Sequence, residues 1–111
     1  MGIIDRREIE FDARALIGVV AGSVQRAQAI GLPALRPTSV RFDPQERHVD
    51  FAYETHPVVS VSAEHLGALL VSYCVRVRLP MARGAEKDLR IEAAAVVLAF
   101  STHYADPPAA W

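Results

Sequence analysis

Two long apolar segments in the second half of the chain constrain its fold most. Residues 69–79 (LLVSYCVRVRL) alternate, so an extended backbone places large apolar side chains on one face and smaller or charged ones on the other. A charged loop over residues 80–88 separates this segment from a second one over residues 89–102. The pattern predicts two long paired strands of an antiparallel sheet.

A specific register follows when Leu79 is placed opposite Leu89. Apolar, large-with-small and opposite-charge pairs all stabilise antiparallel strands. The register gives one pair of each kind: Ile91 opposite Val77, Ala95 opposite Tyr73, and Glu92 opposite Arg76.

The first half of the chain predicts one helix and two shorter strands. Asp12 is a suitable N-cap for a helix over residues 13–28, in which apolar residues recur at helical spacing. Residues 38–42 and 47–55 alternate around the polar turn at residues 43–46. Residues 58–65 fit either a turn or a crossover. The predicted fold is α+β, with an N-terminal helix packed on a mostly antiparallel four-stranded sheet.

Length and charge bound the class of protein. A chain of 111 residues is predicted to form a single domain, residues 1–111, with one core. The net charge of −1 provides no bulk attraction to a phosphate backbone, so we expect no nucleic-acid partner. The apolar run at residues 15–24 is shorter than the roughly 20 residues of a membrane span, so we expect no membrane partner. The proline-containing tail, residues 105–111, is predicted to lie on the surface.

The chemistry-bearing residues form no recognisable catalytic or metal-binding motif. Cys74 is the single cysteine, which fits a cytoplasmic protein, and its apolar neighbours predict a packed side chain and not a nucleophile. Glu54 with His56, and Glu64 with His65, lack an identifiable third ligand. The glycines form no phosphate-binding loop. We therefore predict no catalytic residue, no metal, no cofactor and no enzymatic activity.

The predicted last strand is apolar on both faces. A helix can cover one face of so small a sheet, which leaves the other for a client, a partner or a second copy of the chain. Alternatively, residues 30–42 fold over it. We predict a homo-oligomer, a dimer or larger, and the face assigned to its interface comprises Ala94, Val96, Leu98 and Phe100.

The order of these segments resembles the bacterial export chaperone SecB and its relatives attached to toxin–antitoxin systems. The matching segments are residues 40–44 (VRFDP), 49–54 (VDFAYE), 70–77 (LVSYCVRV) and 91–100 (IEAAAVVLAF), which cover about half of the chain. The resemblance implies a four-stranded antiparallel sheet with helices on one side, in dimers and tetramers that hold unfolded clients. The two helices that follow the fourth strand in that family have no counterpart before Trp111, which favours a dimer here.

The resemblance implies a function and a set of binding residues. An aromatic row on the first two predicted strands, Phe42, Phe51 and Tyr53, would line a groove for an unfolded client protein or peptide. The competing interpretation makes these three residues ordinary core. Two other functions stay open: a small ligand-binding module or enzyme with a pocket between helix and sheet, and a structural homo-oligomeric assembly protein.

Overall fold

The computed structural model describes residues 2–79 and 85–104. Over these residues the chain forms helices and antiparallel strands, which confirms the predicted α+β class. The elements in chain order are β1 (Ile3–Asp12), α1 (Ala13–Gly22), α2 (Val24–Ala29), β2 (Ser39–Asp43), β3 (His48–Ala52), β4 (Val59–Ser62), α3 (Ala63–Arg76), β5 (Glu86–Ile91) and β6 (Ala95–Tyr104). The prediction for the tail at residues 105–111 lies outside the described residues.

The strands form two sheets, so the predicted single four-stranded sheet is wrong. Within the described residues, one three-stranded sheet has the order β1-β6-β5 and the other the order β2-β3-β4. Every pair in both sheets is antiparallel. Four differences explain this: β1 and β4 were not predicted as strands, residues 69–76 are helical, and the predicted strand over residues 89–102 is divided between β5 and β6.

Residues 69–79 lie mostly in helix α3 and do not form a strand. Ser62 caps this helix, since its Oγ accepts a hydrogen bond from the backbone N–H of His65 at 3.3 Å. Leu66, Leu70 and Cys74 recur every four residues and are fully buried, so the segment presents a helical stripe. The sequence of residues 69–79 fits both a two-residue strand alternation and this helical stripe, and the helix is the structure that forms. The register that paired Leu79 with Leu89 is therefore wrong.

The predicted N-terminal helix is present but divided. It forms α1 and α2, which are separated at Ser23. The predicted N-cap is confirmed, because an Asp12 carboxylate oxygen accepts a hydrogen bond from the backbone N–H of Ala15 at 2.8 Å. Leu16, Val19 and Val20 are the buried residues of α1.

The predicted long strand over residues 89–102 is a hairpin. Strand β5 ends at Ile91, and the backbone N–H of Glu92 donates to the carbonyl of Ala95 at 2.8 Å across the turn into β6. Strand β6 pairs with β5 from Glu86 opposite Ser101 to Ile91 opposite Val96. Its other edge pairs with β1 along all ten residues of that strand, from Ile3 opposite Tyr104 to Asp12 opposite Ala95.

The first two strands of the second sheet follow the sequence prediction, and its third strand, β4, was not predicted. Strands β2 and β3 flank the predicted turn, in which an Asp43 carboxylate oxygen accepts from the backbone N–H of Glu46 at 3.0 Å. Arg47 leaves the turn with a φ of 54°, in the left-handed region. Strand β4 completes this sheet and leads directly into α3.

Helices connect the two sheets into one apolar core. Helix α1 contacts β1 and β2, while α3 contacts β4 and β5, so each helix bridges both sheets. Buried apolar side chains from the helices and from both sheets form a contiguous cluster. The fully buried members include Leu16, Val49, Phe51, Leu66, Leu70 and Val96.

An ion pair crosses the outer face of the first sheet. Arg90 on β5 lies opposite Val97, and Glu8 on β1 lies opposite Ala99, so these two charged side chains flank the central strand β6. Arg90 Nη1 lies 2.8 Å from Glu8 Oε1. This hydrogen bond, together with the charge of Arg90, holds the pKa of the Glu8 carboxyl below its ordinary value.

We predict that Asp12→Ala lowers the free energy of unfolding by about 1 kcal/mol, because α1 loses its capping acceptor. Urea denaturation followed by circular dichroism measures the change. Asp88→Ala, which removes an exposed strand carboxylate, is the control and should cost less. Equal losses in the two variants would show that the cap contributes nothing specific.

A second prediction concerns the pH dependence of Glu8. Its folded-state pKa is depressed, so its contribution to stability is present above the ordinary pKa of 4.5 and is lost as the pH falls through the folded-state value. In Arg90→Gln, the carboxyl should titrate closer to 4.5 in an NMR titration of the Glu8 side chain. The remote exposed variant Arg41→Gln should leave it unchanged. An identical Glu8 titration in wild type and Arg90→Gln would contradict the assignment.

Candidate apolar binding site between a helix and a strand edge

The predicted client-binding aromatics lie in or against the core. Phe51 has 0% of its surface exposed, Tyr53 has 9%, and Phe42 is half-buried against the same cluster. Burial raises the pKa of Tyr53, and its hydroxyl has no hydrogen-bond partner among the described residues. These side chains do not line an exposed groove in this conformation. The geometry therefore favours the alternative in which they are ordinary core.

The residues assigned to an oligomer interface are mostly covered within the chain. Val96, Leu98 and Phe100 on β6 are all at most 4% exposed and belong to the apolar core. Ala94 is exposed in the turn between β5 and β6. Homo-oligomer formation stays a prediction, but in this conformation the three buried residues are not available to a second copy.

The other chemistry-bearing side chains do not converge. Cys74 is buried in α3, as a packed side chain, and burial raises the pKa of its thiol. In the part of the chain that the structure describes, no group of three His, Cys, Asp or Glu side chains could hold a metal ion. Glu54 with His56, and Glu64 with His65, therefore gain no third ligand from the described residues.

A cavity of about 340 Å³ lies between the first half of α3 and strand β5. Its walls are mainly apolar and its rim is charged. The apolar residues are Ala63, Gly67 and Val71 from α3, Leu89 from β5 and Leu98 from β6, and the charged residues are Arg47, Glu64, Lys87 and Asp88. The four charged residues are exposed, so the cavity opens to solvent.

Small residues on α3 create this space. Ala63, Gly67 and Val71 are four residues apart and therefore lie on one side of the helix. A Cβ atom placed at Gly67 would stand 4.0 Å from Leu89 Cδ2, which is an ordinary contact distance. The absence of a side chain at Gly67 thus leaves room between helix and strand. The four-residue spacing of these small residues could have indicated the cavity only if residues 63–76 had been predicted as a helix.

Strand β5 borders the cavity and forms an edge of its sheet. Charged side chains bind carbonyl groups along it: Arg47 Nη2 lies 3.4 Å from the carbonyl oxygen of Leu89, and Lys87 Nζ lies 3.1 Å from that of Ala85. Long cationic side chains at a sheet edge hinder uncontrolled pairing with other strands. An incoming segment can displace such side chains more easily than it can displace a hydrogen-bonded strand.

The four charged residues at the rim balance in sign. Arg47 Nη1 lies 3.9 Å from Glu64 Oε1, and both side chains are more than half exposed. Lys87 and Asp88 on β5 also border the cavity, and both side chains are exposed. The rim therefore carries two cations and two carboxylates, with no net formal charge.

Comparison of the chain with family models, with curated proteins and with solved structures gives no match. The resemblance to SecB stays a hypothesis based on the sequence segments. Residues 40–44 and 49–54 cover most of β2 and β3, whereas residues 70–77 are mostly helical and residues 91–100 include the turn between β5 and β6. Among the described helices, none has both the length and the apolar character of a membrane span.

Leu98 tests whether the β6 side chains are core. We predict that Leu98→Ala lowers the free energy of unfolding by about 2–5 kcal/mol, because it leaves a cavity at a site that is 1% exposed. Denaturant melts measure this loss, and size-exclusion chromatography with light scattering measures the assembly state. The exposed Ala94→Ser should change neither quantity. A Leu98→Ala protein of unchanged stability but altered assembly would restore the interface interpretation.

Proposed function

We propose that this protein binds exposed apolar segments of unfolded client proteins, without catalysis, through the cavity between α3 and β5. This is the activity that the resemblance to SecB-like chaperones implies. We assign it to the open cavity because the aromatic row Phe42, Phe51 and Tyr53 lies in or against the core. The observation that carries the proposal is a mainly apolar cavity that opens beside the edge strand of a sheet.

The dimensions of the cavity suit one or two apolar side chains. Its volume of about 340 Å³ stands at the lower end of the range of roughly 300–1,000 Å³ found for ligand sites. Burying one large apolar side chain contributes about 1.5–3 kcal/mol. An extended segment can add hydrogen bonds along a sheet edge, while a neighbouring pocket accepts its side chains. Weak binding with little sequence preference fits a protein that holds and releases varied clients.

The proposal includes a location and an assembly state. We place the protein in the cytoplasm, where a lone cysteine such as Cys74 stays reduced. We also propose a dimer or larger homo-oligomer. Its support is the edge strand β1, which has one partner strand among the described residues and carries Ile3 and Ile4, each 49% exposed, at its beginning, because an unpaired strand edge can pair with another chain.

The cavity also gives weight to a second candidate, a small-molecule binding module with a pocket between helix and sheet. The position of the cavity matches that alternative. Its open mouth and mainly apolar walls fit a segment of a larger molecule better, since small ligands are usually mostly enclosed.

Replacement of Gly67 by leucine tests the proposal. We predict that Gly67→Leu fills the cavity and reduces suppression of client aggregation several-fold, because the new side chain extends towards Leu89. Leucine also favours the helix by up to about 1 kcal/mol relative to glycine, which opposes a loss of stability. The assay is light scattering of a heat-denatured unrelated protein, with circular dichroism to confirm folding.

Gly18→Leu on α1 is the matched control. Gly18 is exposed and a Cβ there would meet no atom within 4 Å, so the change makes the same gain in helix propensity away from the cavity. This variant should protect the client like wild type. Equal protection by both variants would refute the cavity as the site, and no protection by the wild type at several-fold excess would refute the function.

A further inference from the structure

One edge of strand β1 has no partner strand among the described residues. The strand pairs with β6 along all of its residues and stands at the end of the sheet order β1-β6-β5. Within β1, only Phe11 is buried. An unpaired edge presents backbone N–H and C=O groups that another strand can bind. This edge is therefore available for pairing over most of its length.

The hydrogen bonds of the first sheet identify the backbone groups that point out from this edge. The N–H of Glu92 donates to the carbonyl of Ala95, so these two opposite residues form a hydrogen-bonded pair. Such pairs alternate with non-bonded ones along antiparallel strands. Ala95 therefore bonds towards β5, and the even-numbered residues of β6 bond towards the odd-numbered residues of β1. The backbone groups of Ile4, Arg6 and Glu8 consequently point away from the sheet.

The odd-numbered side chains of β1 lie on the face of the core, because Ile9 and Phe11 pack there. Ile3, Asp5 and Arg7 share that face towards the beginning of the strand. Ile3 is 49% exposed, and Arg7 Nη2 lies 3.4 Å from Asp5 Oδ2 in an ion pair that is itself partly exposed. An apolar residue, an acid and a base thus remain open to a neighbouring strand.

We propose that a second copy of the chain occupies this edge, through antiparallel pairing of residues 3–9 with Arg6 on the two-fold axis. The first sheets of the two copies then form one continuous sheet of six strands. Ile4, Arg6 and Glu8 of each copy exchange the backbone hydrogen bonds. The inference specifies the assembly state of the proposed function and rests on that part of it.

Complementary side chains favour this register. It places Ile3 opposite Ile9 of the partner copy and Asp5 opposite Arg7 of the partner copy, and the two-fold axis repeats each pair. Both are non-hydrogen-bonded pairs, in which the Cα atoms approach to about 4.5 Å. Apolar and opposite-charge side chains stabilise strands at such positions. The half-exposed Ile3 gains an apolar neighbour in this way.

Neighbouring registers match less well. Opposite residues share a face, so the two-fold axis passes through a residue and sets it opposite itself. An axis at Asp5 or Arg7 brings like charges into a close pair, whereas Arg6 or Glu8 opposes itself at about 5.5 Å. An axis at Glu8 also sets the charged Arg7 opposite the apolar Ile9. Among these four, the axis at Arg6 combines the wider like-charged pair with apolar and opposite-charge pairs beside it.

The charge pattern of the edge favours a second copy over an apolar client segment. Residues 5–8 (DRRE) are charged without interruption. An apolar segment would leave these charges without partners, while a second copy pairs Asp5 with Arg7 on both sides of the axis. The paired segment also ends at Ile9, and α1 begins only at Ala13, so the helix lies beyond the partner strand.

Cysteine cross-linking tests the register. In Arg6→Cys, the introduced thiols face each other with Cα atoms about 5.5 Å apart, within the roughly 4.4–6.8 Å of disulfides. In Glu8→Cys, the control, they lie four residues out of register, about 13 Å along the strand. Cys74 is fully buried, so the introduced thiol is the accessible one. Under mild oxidation of a dilute sample, we expect a linked dimer of Arg6→Cys and little of Glu8→Cys on a non-reducing gel.

Mixing two charge variants tests the ion pairs between copies. In homodimers, Asp5→Arg sets arginine opposite Arg7, and Arg7→Asp sets aspartate opposite Asp5. Each variant should dimerise roughly tenfold more weakly than wild type in size-exclusion chromatography with light scattering, because two cross-strand pairs become repulsive. An equimolar mixture restores both opposite-charge pairs between copies, although each chain keeps like charges at positions 5 and 7. We therefore expect the dimer to return on mixing. Arg26→Asp, an exposed charge reversal on α2, is the control and should dimerise like wild type.

The outcomes separate this inference from the proposed function. A wild type that stays monomeric at micromolar concentrations overturns the inference, as does cross-linking of Glu8→Cys as efficient as that of Arg6→Cys, or a mixture of the charge variants that remains monomeric. Circular dichroism confirms folding, and the client-aggregation assay is read on the same samples. A folded monomer that still protects the client leaves the proposed function intact. A dimer that protects no client refutes the function and leaves the pairing of β1 standing.

Discussion

Strand β6 has apolar side chains on both faces and backbone hydrogen-bonding groups on both edges, and most of the other elements pack against it or pair with it. Its side chains Val96, Leu98 and Phe100 are buried in the core that the helices complete, while Val97 on the other face is only 4% exposed beside the Arg90–Glu8 ion pair. The chain supplies both edges itself, from β5 next to it in sequence and from β1 at the other end. Pairing of β1 with β6 therefore joins residues that lie far apart in the sequence, from Ile3 with Tyr104 to Asp12 with Ala95. Because non-local pairing is entropically costly, the ten-residue length of this pair matters for stability as well as topology.

The sequence predictions were correct where the structure depends on interactions between residues close together in the chain. Turn chemistry at residues 43–46 and the Asp12 cap depend on neighbouring residues, and both were correctly predicted. Strand β1 was missed because its exposed charged residues hide the two positions that pack inward, Ile9 and Phe11. In α3, two patterns of different period coincide in residues 69–79, and only the Ser62 cap and Leu66 distinguish them. The cavity escaped prediction for a related reason, since Gly67 acquires meaning only when α3 is placed against β5.

The edge of β5 joins protection from aggregation to the proposed binding. An unpaired edge strand invites association, and long cationic side chains reduce that risk. Arg47 and Lys87 each donate a hydrogen bond to a backbone carbonyl there, of Leu89 and Ala85 respectively. In the proposed function, a client segment at the cavity would lie beside these same two side chains.

The energetics of a single site favour several sites acting together. One buried apolar side chain contributes about 1.5–3 kcal/mol, and a complex with a Kd of 1 mM already needs about 4.1 kcal/mol. The cavity alone therefore falls short of micromolar affinity. Linking two sites makes the second binding event intramolecular, which can raise the overall affinity by about 10²–10⁴. Pairing of two chains through the β1 edge would present two cavities to one unfolded client. The proposed assembly is thus the element that would convert a weak apolar cavity into a holding site.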